Sequence, residues 1–107
     1  MMPSSDTHTG GKAHYRFVLF VASDEPNSLR ALNNLNNLCS GKATKQCTIH
    51  VIDVYKDFEA ALKERIVVTP TLLVTCDDPA MRMTFFGSLD DKDAIAQQLN
   101  IEQGDDG

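Results

Sequence analysis

Apolar residues fall along the chain in four short blocks, each bounded by polar or turn-forming residues. "YRFVLFVA" (15–22), "TIHVIDV" (48–54), "TLLVTC" (71–76) and "MRMTFF" (81–86) are β-branched or aromatic, and each predicts a strand. Between the first two, "SDEPNSLRALNNLNNLC" (23–39) changes period. Pro26 suits the first turn of a helix, and Ser23, Asp24 or Glu25 can serve its N-terminus. Leu29, Leu32, Leu35 and Leu38, with Cys39 beside them, predict one buried stripe, and Asn33, Asn34, Asn36 and Asn37 fill the other faces. Asparagine is a mediocre helix former, so packing must hold this helix. Gly41 reads as its stop. Asp57 is placed to cap a short helix over "FEAALKER". "DDPA" (77–80) predicts the turn of a hairpin, and Gly87 its end. Ser88 and Asp91 have capping-box spacing for a last helix over roughly 89–99.

The predicted order is β-α-β-α-β-β-α, an α/β domain. Two βαβ-type crossovers suggest parallel pairing, and the hairpin adds an antiparallel strand. A four-stranded mixed sheet with three helices is the thioredoxin-like arrangement. "RIVVTPTLLV" (65–74) fits it. Proline has no N–H to give a central strand, so Pro70 belongs at a strand's first residue. Thioredoxin-like folds start a strand with such a proline. Few X-Pro bonds in folded proteins are cis, and it is the family resemblance given below that makes Pro70 the structural cis-proline candidate. The redox pair of a thioredoxin sits where strand 1 meets helix 1. Here that stretch reads Ala22-Ser23-Asp24-Glu25-Pro26-Asn27-Ser28 and has no thiol.

Composition narrows the function classes. The chain has 107 residues, room for one domain, and 42% are hydrophobic, enough for an ordinary core. The ordered domain is expected over 15–101, between a polar tail (1–14) and an acidic one (102–107). The net charge of −5 argues against a nucleic-acid partner, which calls for a basic face. No apolar run reaches the roughly 20 residues of a membrane span. "MMPSSDTHTGGKAH" has no apolar core of the signal-peptide kind, so a cytoplasmic location is expected. Cys39, Cys47 and Cys76 form no C-x-x-C pair. Cys39 and Cys47 flank one loop, yet the expectation for a cytosolic chain is three reduced thiols. His8, His14 and His50 are scattered, with no metal-ligand spacing. Ser23, Asp24 and Ser28 lie at a helix start without a glycine-rich loop, so capping is expected rather than anion binding. No nucleophile–base arrangement is discernible, and no cofactor is called for.

Three segments in order, "YRFVLFVASDEPNSLRALNNL", "VIDVYKDFEAALKERIVVTPTLLV" and "FFGSL", resemble the KaiB family of small clock-associated proteins. The resemblance implies a non-enzymatic regulatory protein that binds the ring of a KaiC-like ATPase/kinase. It also implies two folds: a thioredoxin-like monomer competent for binding, and a resting form that assembles as a tetramer. Two packings of one sequence then differ by only a few kcal/mol. The N-terminal sensor domain of a clock-output histidine kinase is also similar, which makes a docking module for such a kinase an alternative reading. A thiol oxidoreductase is favoured by the fold alone.

In the family, basic residues on helix 1, before the proline strand and near the hairpin face KaiC. The matching positions are Arg30, Arg65 and Arg82, and Tyr15 is expected to be a packing residue. "TCDDPAMRM" has one proline and one arginine where clock-type members carry a run of prolines followed by arginines, and Ser88 replaces an aspartate. These departures point towards a homologue acting with a KaiC-like ATPase in stress adaptation. Self-association as a dimer or tetramer is expected.

Overall fold

Seven alternating residues form the first element of the described chain. Strand β1 (Tyr15–Val21) sends Tyr15, Phe17, Leu19 and Val21 to one face of the sheet and Val18 and Phe20 to the other. The computed structural model describes residues 14–40, 47–77 and 80–99. The rest of both expected tails, Gly41, and the central residues 78 and 79 of the expected hairpin turn lie outside the described residues. After β1 come α1 (Pro26–Leu38), β2 (Cys47–Asp53), α2 (Phe58–Lys63), β3 (Thr71–Asp77), β4 (Ala80–Phe86) and α3 (Lys92–Leu99). This is the expected α/β order.

The sheet runs β2-β1-β3-β4. β1 and β2 are parallel, with Tyr15 opposite Cys47 and Val21 opposite Asp53. β3 is antiparallel to β1, with Phe20 opposite Thr71. β3 and β4 are antiparallel, from Thr71–Phe86 to Asp77–Ala80. Only the first of the two expected parallel crossovers therefore exists. The reason is length. A crossover must carry the chain back along a seven-residue strand, about 23 Å. The 13 residues of α1 span about 20 Å and do so. The six residues of α2 span about 9 Å, so the chain enters β3 from the end at which β2 finished.

The main core lies between the sheet and α1 with α3. Phe17, Leu19, Leu72 and Val74 meet Leu35, Leu38, Ile95 and Leu99 there. Each large side chain buried this way contributes about 1.5–3 kcal/mol. Leu29 does not join them; it is 53% exposed. The buried stripe of α1 is Ser28, Ala31, Leu35 and Leu38. Steps of three residues fall about 60° short of a full turn, so Leu29 ends on the side opposite Leu38. On the other face Phe20 and Leu73 pack with Ala61. The short α2 covers one end of that face and leaves a depression of about 420 Å³ over Val18, Ile52 and Leu73.

Helix ends depart from expectation in two places. α1 starts from Glu25, with no side-chain cap bond from Ser23, Asp24 or Glu25. α3 starts after Asp91, whose carboxylate accepts the Ala94 N–H at 3.4 Å. Leu89 has φ of 63°, which excludes it from a helix, so Ser88 is not the cap. Asp57 does cap α2, accepting the Ala60 N–H at 3.3 Å.

The cysteines bring the largest correction. Cys39 closes α1, Cys47 opens β2, and the two are joined in a disulfide with Cα atoms 5.9 Å apart. The expected three reduced thiols are thus one bridge and one buried thiol, Cys76. Packing α1 across β1 and β2 returns its C-terminus to the start of β2, which the sequence separation of 8 did not reveal.

Candidate partner-binding surface

The strand-to-helix junction after β1 is built from oxygen atoms. Ser23 takes a left-handed turn, with φ of 43°. The Ala22 N–H donates to Ser28 Oγ at 3.1 Å, and Ser28 Oγ–H donates to Glu25 Oε1 at 2.9 Å. Thr69 Oγ1–H reaches the same carboxylate oxygen at 3.3 Å. Glu25 thereby ties the start of α1 to the residue before Pro70. The Thr69–Pro70 bond is cis. The Pro70 carbonyl accepts the Gly87 N–H at 3.0 Å, which links the start of β3 to the end of β4. Proline costs the ladder nothing at this position, because it stands just before β3.

Asp53, at the end of β2, closes the other side of the junction. It accepts the Tyr55 N–H and the Ser23 hydroxyl, each at 2.9 Å. The Tyr55 N–H chiefly, with help from Ser23, holds the Asp53 carboxyl below the usual carboxylate range against a weaker opposing effect of desolvation. The arrangement fixes loops, and the stretch 22–28 carries no thiol. Among the described residues, no group of three His, Cys, Asp or Glu residues is placed to hold a metal ion.

Beside this junction the surface is apolar. Val54, Ala61 and Ile66 floor a depression of about 330 Å³ that Thr69 and Ala22 border. Its rim is Tyr55 (75% exposed), Phe58, Leu62, Val67 (88% exposed) and Val68. "IVV" (66–68) reads as strand by composition, yet it forms a loop before β3 with both valines turned outward. Monomers seldom leave so many large apolar side chains together in water without use for them.

The three arginines divide. Arg65 and Arg82 line one depression of about 220 Å³ with Glu64 and Phe86, which shares Ile66 and Val67 with the apolar depression. Arg82 pairs with Glu64 at 2.9 Å. Arg30 stands apart and pairs with Asp90 at 3.5 Å. These exposed pairs contribute little to stability. Arg65 is unusual in its backbone. It follows α2 with φ of 59°, its N–H bonds Leu62 O at 3.0 Å, and the Ile66 N–H bonds Ala61 O at 2.9 Å. That is a Schellman ending with arginine where glycine is favoured.

Sequence reasoning missed two organising residues. Asn34 donates to Ser88 O at 2.8 Å and Asp90 Oδ1 at 3.0 Å, fixing the loop before α3. Tyr15 packs as expected but also donates from its hydroxyl to Leu99 O at 2.6 Å. One asparagine among four, and one tyrosine at a strand start, carry no local signal of such partners.

This sheet order, with a cis-proline at the head of β3, defines a thioredoxin-like protein, and solved structures agree. Trxlp from Edwardsiella tarda superimposes with a TM-score of 0.67 at 16% identity, covering 91% of this chain and 94% of that one. Fasciola hepatica thioredoxin gives 0.65 at 18% identity, covering 89% and 86%. Such identities speak for the fold alone. The KaiB domain family model matches residues 18–101. A "Circadian clock oscillator protein KaiB" from Cyanothece sp. is 33% identical over 90 residues, 84% of each chain. The protein of the same name from Thermostichus vulcanus is 33% identical over 87 residues, 81% of this chain and 79% of its own. The chain belongs to the KaiB family.

Proposed function

We propose that the protein is a non-enzymatic regulatory protein, of clock or stress-response type, that binds the ring of a KaiC-like ATPase/kinase and modulates its phosphorylation or output. The observation that carries this reading is the exposed apolar rim of Tyr55, Phe58, Leu62, Val67 and Val68, at a junction where a thioredoxin would keep its thiols. Apolar centre and charged margin together are the usual anatomy of a protein interface. Arg65 and Arg82 supply the margin on one side, where their guanidinium groups can pair with partner carboxylates in a bidentate fork. Arg30, on α1 and paired with Asp90, lies outside both depressions, and its part in binding rests on the family resemblance alone. The fold described here is the thioredoxin-like one, which the family resemblance assigns to partner binding. KaiB relatives bearing the clock-oscillator name support the regulatory role. The same apolar rim supports self-association at rest, which would withhold it from the partner.

The test is a pull-down with a purified KaiC-like ATPase, with and without ATP. Retention of the protein by the ring supports the reading. Absence of retention under both conditions, at micromolar concentrations, refutes it.

A further inference from the structure

The cysteine bridge lies at the opposite end of β1 from the thioredoxin junction. Tyr15, the first residue of β1, pairs in register with Cys47, and Val21 leads into the junction, roughly 20 Å further along the strand. The bridge therefore has nothing to do with the position at which thioredoxins act. It joins the residue that closes α1 to the residue that opens β2. Its Cα separation of 5.9 Å lies in the range disulfides adopt, so the backbone itself brings the pair together.

The two cysteines differ in access. Cys39 is 7% exposed, beneath the end of α1. Cys47 is half-buried against the main core and is the more exposed of the two. Cys76, the third cysteine, is buried in β3 and unbridged. Thiol–disulfide exchange depends on access to the sulfur attacked and on the leaving thiol. This arrangement gives an outer cysteine that meets a small molecule and an inner one that completes the reaction.

We propose that Cys39 and Cys47 are a reversible dithiol–disulfide site that takes small-molecule thiols and disulfides as its redox partners. On oxidation, the Cys47 thiolate attacks one sulfur of a small disulfide and forms a mixed disulfide, releasing one thiol. The Cys39 thiolate then attacks the Cys47 sulfur, forms the Sγ–Sγ bond and releases the second thiol. Two protein thiols give up two electrons, the small disulfide gains them, and the two cysteine protons leave on the released thiols. Reduction is the reverse, with entry again at Cys47. Oxidation fastens the end of α1 to the sheet by a covalent link, and reduction removes that link while the helix keeps its own last-turn bond, Cys39 N–H to Leu35 O at 3.1 Å. The redox state of the surroundings thus sets the stability of the α1–β2 half of the sheet. This inference is independent of the partner proposed above.

The experiment equilibrates the full chain in graded mixtures of oxidised and reduced glutathione. Free thiols are then alkylated, and intact mass and peptide maps are read. One transition is expected, losing two thiols at Cys39 and Cys47 and reversing fully on return to reduced glutathione. Cys76→Ser keeps the transition, and Cys39→Ser and Cys47→Ser each abolish it. The oxidised wild type melts roughly 10 °C above the reduced wild type, a comparison that needs no variant to fold. Two thiols that stay free throughout, a bridge that involves Cys76 or a second chain, or oxidation that does not reverse would each overturn the proposal.

Discussion

Tyr15 shows how much one side chain can organise. Its ring lies 6.3 Å from that of Phe17, and its hydroxyl reaches 84 residues along the chain to the Leu99 carbonyl. Burial pushes the Tyr15 phenol above its ordinary value of 10.0, and a charged Cys76 nearby would push it the same way. The sign follows from linkage. The folded state holds this proton more tightly than the unfolded state, so the contribution is fully present below the unfolded pKa. It is lost as pH rises through the folded value. Stability is therefore expected to fall as pH climbs above about 10. Tyr15→Phe should lose about 1 kcal/mol near neutrality, the usual net worth of such a bond, and should show a shallower alkaline decline. Urea unfolding at neutral and alkaline pH checks both. A Tyr15→Phe protein with unchanged stability and an unchanged alkaline slope would remove the Leu99 bond from the account.

At the scale of elements, the leucines of α1 separate packing from display. Leu35 is fully buried and Leu29 is half exposed. Leu35→Ala should cost about 2–5 kcal/mol, and Leu29→Ala less than about 0.5 kcal/mol. Equal losses on chemical denaturation would contradict the helix orientation described here. The element order was legible in the sequence because strands and helices have different apolar periods. The side of α1 was not, because a three-residue leucine repeat drifts half a turn over its length. The antiparallel entry of β3 was legible in principle from the shortness of "FEAALK". Asp91 rather than Ser88 starts α3 because Gly87 (φ of 90°) and Leu89 both take left-handed turns that delay the helix. A capping-box spacing cannot report that. The cysteine bridge was hidden for a similar reason, since it depends on how α1 lies over β1. The empty thiol position was read directly, being a local stretch of sequence. The apolar rim was not, because "IVV" looks like strand until the loop turns it outward.

The end of α2 is where helix geometry bears on the proposed binding surface. Arg65 holds a left-handed position that glycine would occupy without steric cost. Arg65→Gly should therefore leave the protein as stable as wild type, or up to about 1 kcal/mol more so, while removing the guanidinium. If Arg65 serves the partner, the same variant should bind a KaiC-like ring less well. Urea midpoints and binding read side by side give the answer. A stable variant that binds as well as wild type would make Arg65 an ordinary helix end.

For the whole molecule, the surface matters more than the core. An acidic chain of net charge −5 presents an apolar shelf bordered by arginines. Rim charges govern association and its salt dependence, and buried apolar anchors govern lifetime. The central claim is that this shelf and its arginines meet a KaiC-like ring. The most direct measurement titrates wild type, Arg65→Glu and Val67→Glu against the ATPase at two ionic strengths, with circular dichroism to show that each variant is folded. Both substitutions should weaken binding at least about tenfold, roughly 1.4 kcal/mol. Added salt should weaken the wild-type complex more than the Arg65→Glu complex. Folded variants that bind with wild-type affinity at both salt concentrations would contradict the account.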